Sequence, residues 1–324
     1  MHSPAIDSSA TDPLSEILAL LKPHNYMAGG FDLAGDWSFR FSHHTGIKCY
    51  AIVSGACWLV LDGEPPVRLN AGDCFLLPRG LPFTLASNLS LEPADAYTLF
   101  RIPLHGRIAT LNGGGESFGV GGHFALSGSH ARFLLNELPA VIHIHGETEK
   151  HELRSLIDRM RQEILARRPG FTLVAQQLSL LILLQALRLH LEDRLPQRAG
   201  WLSALADPEI SPAIAAMHEA PSHPWTLQDL ARRCGLSRSI FAARFKSTVA
   251  LSAMDYLTRW RMLLAADRLL STTHSIAHIA QSLGYDSQSA FTKAFRKQMT
   301  TTPTHYRQAQ NSPVIPPQAA KETS

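Results

Sequence analysis

A helix-turn-helix pattern is written twice near the C-terminus of this chain of 324 residues, once from Thr226 and again from Ser275. In each copy a hydroxyl residue suited to capping a helix precedes apolar residues at helical spacing. These are Leu227, Leu230 and Ala231 in the first copy and Ile276, Ile279 and Ala280 in the second. A glycine, Gly235 or Gly284, stands nine positions after each cap, where its backbone freedom suits a tight turn. Ser237 in one copy, and Asp286 or Ser287 in the other, then open a second helix. That helix carries two phenylalanines one turn apart, Phe241 and Phe245 or Phe291 and Phe295. Two such units imply two helices shaped to enter the major groove at adjacent places.

With the phenylalanines turned inward, helical spacing sends Ser239, Ala242, Ala243 and Lys246 to the outer face of the first reading helix. In the second helix the outward set is Gln288, Ser289, Thr292, Lys293 and Arg296. These nine are the candidate DNA-binding residues, placed to touch base edges or phosphates. Met254 to Leu270 lacks Pro and Gly and reads as one continuous connecting helix. A plain helical bundle with a solvated charged face is the competing reading, and the charge distribution argues against it. Residues 222–310 carry 12 Lys or Arg against 4 Asp or Glu, whereas the remainder carries 18 against 23. A basic segment joined to an acidic one is the electrostatic footprint of nucleic-acid binding.

From Gly30 to about Leu104 the chain reads as short alternating strands punctuated by Gly and Pro, which implies a small β-barrel or sandwich. Cys57–Leu61 ahead of Asp62-Gly63, and Cys74–Leu77 ahead of Pro78-Arg79-Gly80, are examples. Glu149–Arg167 and Phe171–Glu192, split by Pro169-Gly170, form a helical hairpin. Its second helix is apolar around much of its circumference, through Leu173, Leu178, Leu181, Ile182, Leu184 and Leu187. Part of that surface is expected to meet a partner, with internal core as the alternative. The stretch around Leu178 to Leu191 is broken by Gln185, Arg188 and His190 and reads as too short to span a bilayer. No basic segment followed by an apolar run opens the chain, so no membrane association and a cytoplasmic location are expected. Cys49, Cys57, Cys74 and Cys234 show no zinc-ligand spacing and read as reduced, mostly buried thiols, with a redox-sensing role as the rival.

Several spaced features of residues 225–306 together resemble the DNA-binding domain of the AraC/XylS family of bacterial transcription regulators. They include the YLTRWRM run at Tyr256–Met262, the run IAHIAQSLGYDSQSAFTKAFRK, and the closing TPTHYR. Where that family usually has glycine and then proline after each reading helix, this chain has Ala250 and Ala253, then Thr300 and Pro303. The run Gly72–Gly80 resembles the second motif of the cupin fold. Asp12-Pro13-Leu14-Ser15 and Leu138-Pro139-Ala140-Val141-Ile142-His143 look like the cupin-sensor subfamily of these regulators. Cupin enzymes place a metal-binding histidine shortly after the PxG turn, and Phe83 stands there in this chain. His43, His44, His143 and His145 then read as surface or hydrogen-bonded residues.

The expected fold class is thus α+β and multidomain. It comprises an N-terminal cupin-like β-barrel (12–145), a helical hairpin for dimerisation (146–195), a linker with a short helix near Pro212–Glu219 (196–221), an all-α domain with two helix-turn-helix units (222–310) and a disordered tail (311–324). The reading assigns no catalytic residue, no metal ligand and no cofactor. The resemblance implies a transcription regulator, by preference an activator. It would take double-stranded promoter DNA, an unknown small effector, RNA polymerase and a second copy of the chain as partners. A cupin-type metal enzyme with an attached DNA-binding domain, and a thiol-based redox regulator, are the alternatives.

Overall fold

The computed structural model describes residues 12–21, 24–96, 107–125, 135, 138–145, 150–193, 200, 204–205 and 207–311; the tail expected to be disordered lies outside them from 312 onward. Contacts divide the chain into two compact units, Leu21–Gln197 and a second made of Met1–Leu20 with Arg198–Ser324.

The first unit holds eleven strands among the described residues: β1 (His24–Leu33), β2 (Ser38–Phe41), β3 (Ile47–Ser54), β4 (Ala56–Leu61), β5 (Val67–Asn70), β6 (Cys74–Leu77), β7 (Phe83–Ala86), β8 (Ala94–Asp95), β9 (Arg107–Leu111), β10 (Ser117–Ala125) and β11 (Ile142–Ile144). They form two sheets, ordered β11-β6-β3-β10-β1-β9 and β5-β4-β7-β2-β8, the two halves of a cupin-like barrel. Alternation decides what each strand buries. On β3, Ile52 joins Phe31, Trp37, Leu59, Phe75 and Phe83 in the core between the sheets, and Tyr50 packs against it. Ile47, Cys49 and Ala51 point the other way and are also buried, because helices α2 (Lys150–Ala166) and α3 (Phe171–Asp193) pack on that side of the strand. The two cupin-like motifs meet: the Arg79 Nε of the PxG turn donates to the Leu138 carbonyl at 2.6 Å. Gly80 itself has φ +68°, and a Cβ there would stand 2.1 Å from the His44 carbonyl oxygen.

One expectation changes here. Over Phe171–His190, 20 residues of α3 are long and apolar enough to cross a membrane, contrary to the reading of a broken, short stretch. The helix instead packs against α2 and against β1, β10, β11, β6 and β3. Leu178, Ile182, Leu183 and Leu187 are buried there. Most of the apolar circumference is therefore barrel core, and among the described residues the large apolar side chains left exposed are Leu173, Val174 and Leu181 on α3 and Leu165 on α2.

The second unit contains α1 (Pro13–Leu21), α4 (Ser211–Glu219), α5 (Leu227–Arg233), α6 (Arg238–Val249), α7 (Ala253–Ser271), α8 (Ile276–Ser282), α9 (Gln288–Met299) and α10 (Pro303–Asn311). Thr226, Ser237, Ser275 and Ser287 cap their helices as the sequence predicts; beyond that, Asp229 completes a capping box with Thr226 on α5, and Ser252 caps α7. The duplication extends further than the two reading helices. Tyr256 meets Phe245 edge-on at 5.9 Å, and Tyr306, fifty positions later, meets Phe295 in the same way at 5.5 Å. Helix α10 is thus the second copy's counterpart of the start of α7. Helix α1 buries Ile17 and Leu20, and its Glu16 carboxylate lies 3.0 Å from His218 Nδ1. The His218 ring stacks on Trp260 at 3.7 Å, and its Nε2 lies 2.8 Å from the Tyr256 hydroxyl. Burial depresses the His218 pKa against the opposing pull of Glu16.

Candidate nucleic-acid interface

Each reading helix is held by one buried edge. Phe241, Phe245, Phe291 and Phe295 are all fully buried, which fixes the rotation of α6 and α9 and decides which residues look outward. The turns before them need glycine. Gly235 and Gly284 have φ of +64° and +79°, and a Cβ on Gly284 would meet the Ser222 carbonyl oxygen at 2.4 Å.

All nine candidate residues lie off the buried edge. Ser239, Ala243 and Lys246 on α6 are exposed and Ala242 is half-buried; Gln288, Ser289, Lys293 and Arg296 on α9 are exposed and Thr292 is half-buried. Those of α9 come together along one open groove that also takes in Lys297 and Thr302. The α6 face carries two exposed cations, Arg238 and Lys246, with the short side chains of Ser239, Ala242 and Ala243 between them, and its largest exposed apolar side chain is Ile240, 57% exposed. Sequence spacing missed Ile240 and Lys297. Counting from the phenylalanines gives the centre of the outward face, and these two flank it. Ser239 and Ser289 have a second partner, since their hydroxyls lie 3.3 and 3.0 Å from those of the capping residues Ser237 and Ser287.

The basic excess is only partly available to a ligand. Arg244 is held by Asp207 and by Glu209, the latter at 2.8 Å. Arg261 donates to the carbonyls of Pro221 and His223, Arg268 to Ser282, and Arg307 to the carbonyls of Leu269 and His274. These four arginines brace the helices. Arg238, Lys246, Lys293, Arg296 and Lys297 stand exposed on α6 and α9. A helix face with exposed cations beside a groove of hydrogen-bonding side chains suits a polyanion with readable edges.

The barrel residues do not fit a cupin metal centre. Phe83 stacks on Phe41 at 4.5 Å, nearly parallel. His143 Nε2 lies 3.1 Å from the Asp73 carboxylate, which also accepts from the Asn70 amide. His123 is engaged with the Thr45 carbonyl. His44 lies beside it, at a ring separation of 5.3 Å. Burial and the nearby Lys48 push His44 down to about 3, and burial likewise lowers His123 to about 4. Among the described residues no three of His, Cys, Asp and Glu are arranged to hold a metal. The thiols are as poorly placed for redox work. Cys49 and Cys74 lie Sγ to Sγ at 3.9 Å, both buried, and the Cys49 thiol is pushed well up by its hydrogen bond to Cys74 and by burial. Burial pushes Cys57 up to about 12, so the reactive thiolate is scarce.

A barrel unit paired with tandem helix-turn-helix units that present basic reading helices defines a class, the DNA-binding regulators with an attached cupin-like domain. Comparison with known proteins agrees. A cupin family model matches residues 12–192 and a helix-turn-helix domain model residues 230–309. The chain is 37% identical to an AraC-like transcription regulator of Streptomyces lividans over 93% of its own length and all of the relative's. A second such regulator, from Streptomyces antibioticus, is 38% identical over 91% of this chain and 98% of the relative. The HTH-type transcriptional regulator AlkR of Acinetobacter baylyi is 31% identical over 85% of this chain and 92% of its own. The chain belongs to the AraC-like transcription regulators, with a helix-turn-helix DNA-binding domain and a cupin-like ligand-binding domain.

Proposed function

We propose that the chain is a cytoplasmic, non-enzymatic transcription activator that binds a promoter as a homodimer and answers to a small effector taken up by its barrel. The observation that carries the reading is the contrast between the two reading helices. On α9 the groove lined by Gln288, Lys293 and Arg296 offers hydrogen-bonding and charged groups. A glutamine suits adenine and a lysine suits guanine, each pairing discriminating by ~1–3 kcal/mol. On α6, Ser239, Ala242 and Ala243 offer short side chains, so that helix works through shape, thymine methyls and phosphate contact. Thr292 and Ser289 complete the α9 set, and Lys246 grips a phosphate from α6.

Leu173, Val174 and Leu181 on α3 and Leu165 on α2 support the homodimer, since they are large apolar side chains left exposed on the hairpin. The effector acts by favouring one arrangement of dimer and readers over another, shifting the population that matches the promoter spacing. RNA polymerase is the partner through which an activator works. Gel-shift and reporter assays on the DNA upstream of the chain's own gene test the reading. Binding with a reporter that rises supports activation, and a reporter that falls makes it a repressor. Sedimentation of Leu173→Lys and Leu181→Lys tests the dimer: both variants should be monomeric at concentrations where the wild type is not.

A further inference from the structure

We propose that Ile240 is the specificity-determining side chain of the first reading helix, and that it packs against the C5-methyl group of a thymine in the major groove. The proposal rests on the reading of α6 as a DNA-contacting helix and adds the residue that discriminates there and the base feature it recognises. Ile240 is 57% exposed, while the other large apolar side chains of α6, Phe241, Phe245 and Val249, are buried. It is the third residue of α6, in the N-terminal part of the helix, where recognition helices meet base edges. Its backbone N–H donates to the capping Ser237 hydroxyl at 3.3 Å. A β-branched side chain in a helix keeps essentially one χ1 rotamer. Backbone and side chain are therefore both fixed before DNA arrives, and little freedom is lost on contact.

The internal duplication supplies a second, independent observation. The offset of fifty that relates Phe241 to Phe291 also relates Ile240 to Ala290, Ala242 to Thr292 and Ala243 to Lys293. The two readers thus distribute bulk in opposite ways: α9 is small at 290 and carries its polar groups on the next turn, whereas α6 is small on that turn and carries its bulk at 240. Ser247, seven positions beyond Ile240 and on the same side of α6, is the counterpart of Lys297, and Lys297 lines the α9 groove. That side of α9 is a ligand-facing side, and by the duplication so is that of α6. Arg244, one turn on from Ile240, is tied to Asp207 and Glu209 and does not compete for the same base. The thymine methyl is the apolar feature of the major groove. Against adenine, guanine or cytosine, Ile240 would cover donors or acceptors without pairing them, which is unfavourable. One buried methyl is worth about fourfold in affinity, so α6 adds a preference smaller than that of the polar pairs on α9.

The test uses the full chain and the duplex it selects from a randomised pool. The segment under α6 is the one whose base preference survives Gln288→Ala and Lys293→Ala. Each thymine of that segment is replaced in turn by deoxyuridine, which keeps the hydrogen bonds of the base pair and removes only the C5-methyl, and affinity is read by fluorescence anisotropy. One replacement should weaken wild-type binding about fourfold. The same replacement should change nothing for Ile240→Ala, and Ile240→Val should keep most of the effect. Alanine is the better helix former at an exposed position, so Ile240→Ala should melt no lower than the wild type. A segment without thymine, wild-type tolerance of deoxyuridine at every thymine, or an equal loss in Ile240→Ala overturns the proposal and leaves α6 a DNA-contacting helix. Unchanged DNA binding by Ile240→Ala with a reporter that no longer rises assigns the side chain to a protein partner and also overturns it. A wild type that selects only the segment under α9 refutes the reading of α6 itself, and the proposal falls with it.

Discussion

The arginines that brace the helices make the salt dependence of DNA binding a quantitative test. A count of charges alone, 12 Lys or Arg in residues 222–310, gives a steep dependence if each neutralises one phosphate. The structure withdraws Arg244, Arg261, Arg268 and Arg307 into internal bonds. Of the other eight, five stand exposed on the reading helices, Arg238, Lys246, Lys293, Arg296 and Lys297, while Arg232 pairs with Asp229, Arg233 lies over the Trp225 ring, and Arg259 is half-buried on α7. Each phosphate contact contributes ~0.9 to the slope of log K against log salt, and with Lys293 assigned to a base the other four give a slope of about −3.6 per protomer. Raising salt from ~50 to ~200 mM should then weaken binding ~150-fold, whereas all twelve cations would give a slope near −11. The assay is fluorescence anisotropy with a labelled promoter duplex across that salt range, for wild type, Arg296→Ala and Arg244→Ala. The first variant should lower the slope by about 0.9. The second should leave it unchanged, because Arg244 spends its charge on Asp207 and Glu209. A wild-type slope near −11, or a slope that drops in Arg244→Ala, would refute this division of the charges.

Two further outcomes follow from strained and buried groups. Ala250 and Thr300 end α6 and α9 in the left-handed conformation, at φ +63° and +60°, where the family's usual glycine is at ease. That conformation costs an L-residue ~1–2 kcal/mol against ~0.5–1 for the lost freedom of glycine. Ala250→Gly should therefore stabilise the domain by ~0.5–1 kcal/mol, and Thr300→Gly by somewhat more because Thr is β-branched. Calorimetric melting checks both, and a lower melting temperature in each would be contrary. In the barrel, His44 and His123 are lowered to about 3 and 4 from an ordinary 6.5. The unfolded chain thus takes up their protons first as pH falls. The contribution of these two histidines should be fully present above pH ~6.5 and be lost at ~2 kcal/mol per pH unit between ~6 and ~4. Urea midpoints across that range test this, and a flat profile contradicts it.

Much of the fold was legible because local chemistry fixes it. Thr226, Ser237, Ser275 and Ser287 cap the helices that the spacing predicts, and the connecting helix read as Met254–Leu270 is Ala253–Ser271. β6 begins and ends where Gly72-Asp73 and Pro78 punctuate it. What was not legible depends on contacts between distant residues. Nothing near Glu16 announces that its partner is His218, 202 positions away. The withdrawal of Arg244 by Asp207 and Glu209 is likewise invisible to a charge count. The apolar girth of α3 suggested a wide partner surface, and the barrel strands cover most of it. In the interface, periodicity from the phenylalanines placed the nine candidates on the open side. It could not rank them, since a groove such as that around Lys293 arises only when α9 and the start of α10 are side by side. Helix α10 itself was within reach, because the offset of fifty that relates Phe245 to Phe295 also relates Tyr256 to Tyr306.

The most direct test of the central claim, that α9 reads bases while α6 mainly positions, is a selection from randomised duplexes with wild type, Gln288→Ala, Lys293→Ala and Lys246→Ala. The wild type should enrich a site with two conserved segments about one helical turn apart. Gln288→Ala and Lys293→Ala should each relax preference in only one of those segments, and Lys246→Ala should recover the wild-type site with weaker binding throughout. Unchanged base preferences in both α9 variants, or a preference lost through Lys246→Ala, would contradict the account.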